Sequence, residues 1–291
     1  MTPLFARLTV AGVGLIGGSL ALAARQAGLV GEVVGFGRSE ANLELARARG
    51  IVDRFAREPA VAVAGADAVL LAAPVGACAT LAEAFRPHVG PHTLLTDVGS
   101  VKGSVVAALE ARWPEPGRVV GGHPIAGSEE AGAGAARADL FRDRLCILTP
   151  TRTTRPEALA SVRRLWEGVG ARVEEMDTGA HDAILARVSH LPHLSAVALV
   201  DAVAQAQAGG RPVGAYAGSG LLDTTRIAAS SPEVWRDIVL ANAGPLRSAL
   251  AEFRAALDRL EQLVASRDAA GLEAAIAEVR SARRVLGGPQ R

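Results

Sequence analysis

The chain has 291 residues, 49% hydrophobic and 3% aromatic, with 31 basic against 30 acidic side chains and a formal net charge of +1. That length accommodates two domains. Balanced charge with so few rings excludes the basic surface and stacking platforms that nucleic-acid binding uses. The first residues lack the basic and apolar blocks of an export signal. The most apolar stretch, residues 61–85, is broken by Asp67, Pro74 and Glu83, so no membrane span is expected. Cys78 and Cys146 have neither disulfide nor metal spacing, which fits two structural thiols in a reducing, cytoplasmic setting. Every basic residue is arginine except Lys102, and a lone lysine inside a motif hints at a geometric role.

Short β-rich runs at residues 8–11, 32–36, 68–73, 93–96, 119–122, 145–149 and 172–176 alternate with amphipathic helical stretches, the pattern of parallel strands joined by crossover helices. The first run leads into Gly12-Val13-Gly14-Leu15-Ile16-Gly17. Strand, glycine turn and helix start follow in the order a dinucleotide site requires. Gly12 permits the turn, Gly14 lets backbone approach a pyrophosphate, Gly17 allows close helix packing, and the helix start at Leu15 and Ile16 offers unpaired amides. At the end of the second strand, where an acid would hold the ribose hydroxyls, stand Gly37, Arg38 and Ser39. Without that acid, and with a guanidinium and a hydroxyl able to hold a phosphate, the pattern favours NADP or dual use over NAD alone. Arg38 stacked on adenine or solvated is the other reading.

Ligands of open parallel sheets bind beyond the carboxyl ends of the strands. Three turns there are polar or kinked: Ala73-Pro74, residues 96–102 and residues 121–129. His123 is the imidazole at such an end, placed to accept a hydroxyl proton during hydride transfer. Ser100 either holds the same hydroxyl or the nicotinamide amide, or caps the next helix.

From Thr178 onward only helical periodicity is found. The expected division is therefore residues 1–176, a dinucleotide-binding domain, and residues 177–291, an all-helical domain. Its first helix, capped by Asp177 or Thr178, runs toward Gln207 with a kink at Pro192; Ser231-Pro232-Glu233 starts another; residues 209–220 read as a loop. Asp182, Ser189 and His193 share one helical phase and form a polar stripe, with no ligand set for a metal. Arg226, among apolar neighbours, pairs with Asp223 or forks onto a substrate carboxylate. Apolar faces too extensive for one copy favour a homodimer through this domain.

Together the Gly12–Ser19 turn, Thr96-Asp97-Val98-Gly99-Ser100-Val101-Lys102, Gly122-His123-Pro124-Ile125-Ala126-Gly127, Val188-Ser189-His190-Leu191-Pro192-His193 and Thr225-Arg226-Ile227-Ala228 with Trp235 resemble the prephenate/arogenate dehydrogenase family. The resemblance implies an α/β Rossmann-type nucleotide-binding domain, an all-α dimerisation domain, and NAD(P)-dependent oxidative decarboxylation of prephenate or arogenate in tyrosine biosynthesis. It makes His123 and Ser100 the catalytic pair, with Ser100 also beside the nicotinamide. It assigns Arg226, His193, Asp182, Glu129 and Trp235 to the substrate, and Gly12, Gly14, Leu15, Ile16, Gly17, Arg38, Ser39, Ala73 and Pro74 to the dinucleotide. A fused chorismate mutase segment or regulatory domain, present in some members, is not expected. The alternatives are a β-hydroxyacid dehydrogenase or imine reductase, disfavoured because the helical half has no lysine, and a dinucleotide sensor without catalysis.

Overall fold

The structure, a computed structural model, describes residues 2–128 and 130–286. Eight strands form one sheet: β1 (Phe5–Ala11), β2 (Val30–Phe36), β3 (Arg54–Ala56), β4 (Ala68–Leu71), β5 (Leu94–Asp97), β6 (Val119–Pro124), β7 (Leu145–Thr149) and β8 (Arg172–Glu175). Their order is β3-β2-β1-β4-β5-β6-β7-β8. The chain reverses direction across the sheet between β1 and β4, which opens a crevice at the carboxyl ends of those strands. Helices α1 (Leu15–Gln26), α2 (Glu40–Ala48), α3 (Pro59–Val63), α4 (Cys78–Phe85), α5 (Gly103–Glu110) and α6 (Pro156–Gly168) accompany the strands.

Apolar continuity in the central strands has its reason in burial on both faces. Ala68 and Leu70 of β4 join a core containing Leu20, Phe141, Leu148 and Trp166, whereas Val69 and Leu71 join another built on Phe85, Leu95, Leu109 and Trp113. Alternate residues thus serve opposite faces. Two features depart from the sequence reading. β3 is a three-residue strand without an apolar run. β7 runs antiparallel to β6, because the connection between them, residues 125–144, holds no α-helix among its described residues and returns the chain alongside its own strand.

Beyond the sheet come α7 (Thr178–Leu185), a π-helical turn (Ala186–His190) and α8 (Leu191–Gln205). Asp177 caps α7, accepting from the Ala180 amide at 2.8 Å. The widened turn precedes Pro192, which lacks an amide proton and sits in the first turn of α8. One extra residue in that turn shifts the helical phase. His190, rather than Ser189, is therefore fully buried beside Asp182 and His193. The expected loop at 209–220 is more ordered. β9 (Gln207–Ala208) and β10 (Arg211–Pro212) form a small hairpin turned by Gly209 and Gly210 at φ +57° and +75°, the left-handed pair a tight hairpin demands. A 3-10 turn (Val213–Tyr216) and α9 (Ser219–Thr225) follow, then α10 (Pro232–Ala241), capped by Ser231 as expected.

Residues 1–243 make one compact unit and residues 244–291 another. The second consists of most of α11 (Ala243–Ala265) and of α12 (Ala269–Val285). Leu257, Leu260, Val264, Ile276 and Val279 are exposed there. Among the described residues the run Thr178–Gln205 is long and apolar enough to cross a membrane by length and composition. It carries buried His181, Asp182, His190 and His193, side chains that are costly in a bilayer.

Candidate active site

A cavity of about 780 Å³ occupies the crevice at the ends of β1, β2 and β4. Of the residues expected to hold a dinucleotide, Gly12, Gly14, Arg38, Ser39, Ala73 and Pro74 line it. Gly12 has φ +103°, and a Cβ there would stand 2.2 Å from the Ala72 carbonyl oxygen, so glycine is obligatory. A Cβ on Gly14 would meet nothing within 4 Å, which leaves open space over the amino end of α1; one on Gly17 would strike the Gly12 carbonyl oxygen at 2.2 Å. The donor set is backbone amides, a helix terminus and a guanidinium, the chemistry a dinucleotide pyrophosphate needs. Leu15, Ile16, Gly17 and Ser100 do not line the cavity; Gly17 acts through packing. Ser39 caps α2, accepting from the Asn42 amide at 3.3 Å. Asn42 itself donates to the Val13 carbonyl at 2.8 Å and accepts from the Ala133 amide at 2.8 Å, pinning the glycine turn. Glu233, Arg236 and Asp237 of α10 line the same cavity; the sequence marked Glu233 only as part of a helix start and gave no signal for Arg236 or Asp237.

Where β5 and β6 end side by side, Asp97, Gly122 and His123 meet. Lys102, fully buried, pairs through Nζ with the Asp97 carboxylate and donates to the Gly122 carbonyl at 2.8 Å. Asp97 also accepts from the amides of Gly99 (2.8 Å) and Gly122 (3.2 Å). The lone lysine is thus a lock between the turn after β5 and the strand that carries His123.

Against these turns α7 lays His181 and Asp182. His123 Nδ1 lies 2.8 Å from His181 Nε2, and His181 Nδ1 lies 2.8 Å from Asp182 Oδ1. The Asp182 carboxylate accepts from the amides of Lys102 and Gly103, each at 2.8 Å. An acid on α7 therefore caps α5, which begins at Gly103 rather than at Ser100. Ser100 is half-buried and is not that cap. Burial pushes the Asp182 carboxyl up, but the bonds from His181 and the two amides outweigh it and hold its pKa below the usual range. His123 is held well below the usual imidazole value, first by burial and then by the charge of Lys102 and the neighbouring histidines. It is neutral at physiological pH.

Beside this group His193 stacks on Trp235, ring centroids 3.4 Å apart and planes within 7°. Asn242 donates to the Asp182 carbonyl at 2.9 Å and contacts His190 Nδ1 at 3.0 Å. Burial lowers the pKa of His193, and that of His190 falls to about 4, burial again the main cause. Among the described residues His193 Nδ1 and Asn242 Oδ1 are buried without a hydrogen-bond partner, and atoms of this kind are satisfied by water or by a polar ligand. Arg226 is exposed at the start of a 3-10 turn packed on α8. Glu129 lies outside the described residues. Sequence reading missed His181 and Asn242; the adjacency of His181 and Asp182 was the available signal for the first.

Residues 20–175 match the nucleotide-binding domain of prephenate dehydrogenase and residues 177–278 its dimerization domain. The chain belongs to the prephenate dehydrogenase family. It is 37% identical to a cyclohexadienyl dehydrogenase of Zymomonas mobilis over 91% of this chain and 90% of that one. A prephenate dehydrogenase of Bacillus subtilis is 35% identical over 91% of this chain and 72% of its own length. A crystal structure of prephenate dehydrogenase from Aquifex aeolicus in complex with hydroxyphenyl propionate and NAD+ superposes with a TM-score of 0.91 at 34% identity, covering 96% of this chain and 98% of that one. Arogenate dehydrogenase of Synechocystis gives 0.82 at 30% identity, covering 96% and 99%. This family member is accordingly an NAD(P)-dependent oxidoreductase, with a Rossmann-type domain followed by the helical dimerization domain.

Proposed function

We propose that this prephenate dehydrogenase homologue oxidatively decarboxylates prephenate, arogenate or both, and that His123 is the proton-accepting group. The observation that carries this reading is a neutral, nearly buried imidazole at the carboxyl end of β6, held by the His181–Asp182 chain in a protein of this family. A bound nicotinamide supplies the hydride acceptor for the ring carbon that bears the hydroxyl. Gly12, Gly14 and the amino end of α1 would hold its pyrophosphate, with Arg38, Ser39, Ala73 and Pro74 around the rest. His123 draws off the hydroxyl proton as the carbon is oxidised to a dienone. Loss of carbon dioxide then leaves the bonding electrons in the ring, which becomes aromatic, and His123 returns its proton to the phenolate oxygen. Such a group contributes about 10² to 10⁴ in rate.

Arg226 binds a substrate carboxylate, with His193 and Trp235 at the side of the substrate and Ser100 near the hydroxyl and the nicotinamide. Asp182 serves by fixing His181, since both of its oxygens are engaged inside the protein. The domain division after Met176 and a homodimer through the helical domain belong to the same reading, as does a cytoplasmic setting. Exposed apolar side chains on α8, including Val197 and Val200, and on α11 and α12 support the dimer; sedimentation showing only monomer at micromolar concentration would refute it. For the cofactor, Arg38 and Arg57 line a cavity of about 400 Å³ with Phe36, Gly37 and Glu58. Arg38 at the end of β2, where no acid stands, favours NADP or dual use, while Arg57 across that cavity pairs with Glu40 at 3.3 Å.

The test is a four-way comparison in which purified protein is offered prephenate and arogenate, each with NAD and NADP, and reduced nicotinamide is followed by absorbance. Turnover in any combination supports the reaction and names substrate and cofactor. Dinucleotide binding with no turnover in all four would overturn it.

A further inference from the structure

We propose that His181 is a positioning residue that sets the tautomer of His123 and holds its displaced proton, so that Asp182, His181 and His123 work as one relay. The inference rests on His123 being the base. It follows from donor and acceptor accounting along the chain of contacts. Asp182 is ionised and can only accept, so the proton between it and His181 belongs to His181 Nδ1. With that one proton on Nδ1, His181 presents a bare Nε2, 2.8 Å from His123 Nδ1. The proton of that contact must come from His123, whose Nδ1–H donates. His123 Nε2 is left as the bare lone pair, the state a general base requires.

When substrate gives its hydroxyl proton to His123 Nε2, the positive charge arises in a buried place that disfavours it. Lys102 already lies nearby. Transfer of the Nδ1 proton of His123 to His181 Nε2 moves the charge one ring further, next to the Asp182 carboxylate. One O–H bond breaks and one N–H bond forms at His123 Nε2; one N–H bond breaks at His123 Nδ1 and one forms at His181 Nε2. The reverse shift restores the starting state when the phenolate is protonated. Asp97, Lys102, Cys146 and His190 are the other charged or titratable groups around the relay. Within it Asp182 is the acid in contact with His181. Its own position is fixed by the amides of Lys102 and Gly103, which keeps it from rotating away.

Two readouts test the relay. The first is a nitrogen-15 histidine spectrum of the wild-type protein without substrate, with His123 assigned from the signals lost in H123N. The relay requires a protonated Nδ1 and a bare Nε2 at neutral pH; a protonated Nε2, or averaging between tautomers, overturns it. This readout does not depend on the reaction, so a chain inactive toward prephenate and arogenate would refute the proposed function while leaving the relay to the spectrum. The second is kinetic. H181L removes the acceptor, and H181Q offers a side-chain oxygen that accepts but cannot take up a proton. We expect kcat to fall about 100-fold in H181L and about tenfold in H181Q, with KM within about threefold of wild type in both. Equal losses in the two variants with a parallel rise in KM, or kcat unchanged in either, would show that His181 only fills space.

Discussion

Replacing Lys102 with methionine removes the charge facing Asp97 while keeping an unbranched side chain of similar reach. Both partners are fully buried, and the ammonium also donates to the Gly122 carbonyl at 2.8 Å. K102M leaves a buried carboxylate held only by the amides of Gly99 and Gly122, and takes a donor from that carbonyl. Removing one partner of a buried ion pair costs about 3 to 5 kcal/mol, a large part of a fold stability of about 5 to 15 kcal/mol. Urea unfolding of wild type, K102M, D97N and the double variant closes a cycle. The double variant should lose less than the sum of the singles by at least about 1 kcal/mol, since the second change removes the charge that the first left unpaired. Because the pair fixes the residue before His123, K102M should also lower turnover even where it stays folded. A loss below about 1 kcal/mol, or strictly additive singles, would refute the reading of this pair as the lock of the site.

A Cβ can be placed at Gly37 without strain, since the nearest atom it meets is on Leu43, at 3.6 Å; G37D should lower the NADP to NAD ratio of kcat/KM by at least about tenfold through repulsion of the ribose phosphate. R38A should raise KM for NADP and leave that for NAD nearly unchanged, and unaltered ratios in both variants would count against the phosphate reading. In steady-state kinetics H123A should mainly lower turnover, by about 10² to 10⁴, whereas R226A should mainly raise KM for the substrate; the reverse pattern would exchange their roles. Stability should depend on acid through His190, whose pKa falls from an ordinary 6.5 to about 4 on folding. The unfolded chain binds this proton first, so the contribution is complete above pH 6.5, declines as pH falls to about 4, and is flat below. Unfolding midpoints from pH 4 to 7 should show that slope, and H190Q should flatten it.

Seven of the eight sheet strands could be read from β-rich runs alternating with helical stretches, most clearly the central ones, where burial on both faces leaves an unbroken apolar pattern. β3 could not, since three residues at the sheet edge carry no periodicity. The direction of β7 was hidden for another reason: it depends on what the connection from β6 does rather than on any residue within the strand. In the site, Gly12 and Gly17 were readable because contacts of 2.2 Å exclude any side chain there. His123 stood out in the sequence because it is an imidazole at a strand end, where ligands of open parallel sheets bind. His181 and Asn242 did not, since each gains its contacts only when α7, α5 and α10 come together. Asp182 was expected beside the substrate, and in the structure its carboxylate engages His181 and the amides of Lys102 and Gly103. The π-helical turn moved His190 into the place that simple helical phase gave to Ser189.

The proton-accepting role of His123 is most directly examined by single-turnover kinetics of wild type and H123N with saturating dinucleotide and substrate, monitoring reduced nicotinamide and carbon dioxide together. Hydride transfer should slow by about 10² to 10⁴ in H123N, while substrate and dinucleotide bind as in wild type and carbon dioxide appears one for one with reduced nicotinamide. Hydride transfer at the wild-type rate in H123N, with both ligands bound, would contradict the assignment of His123 as the base.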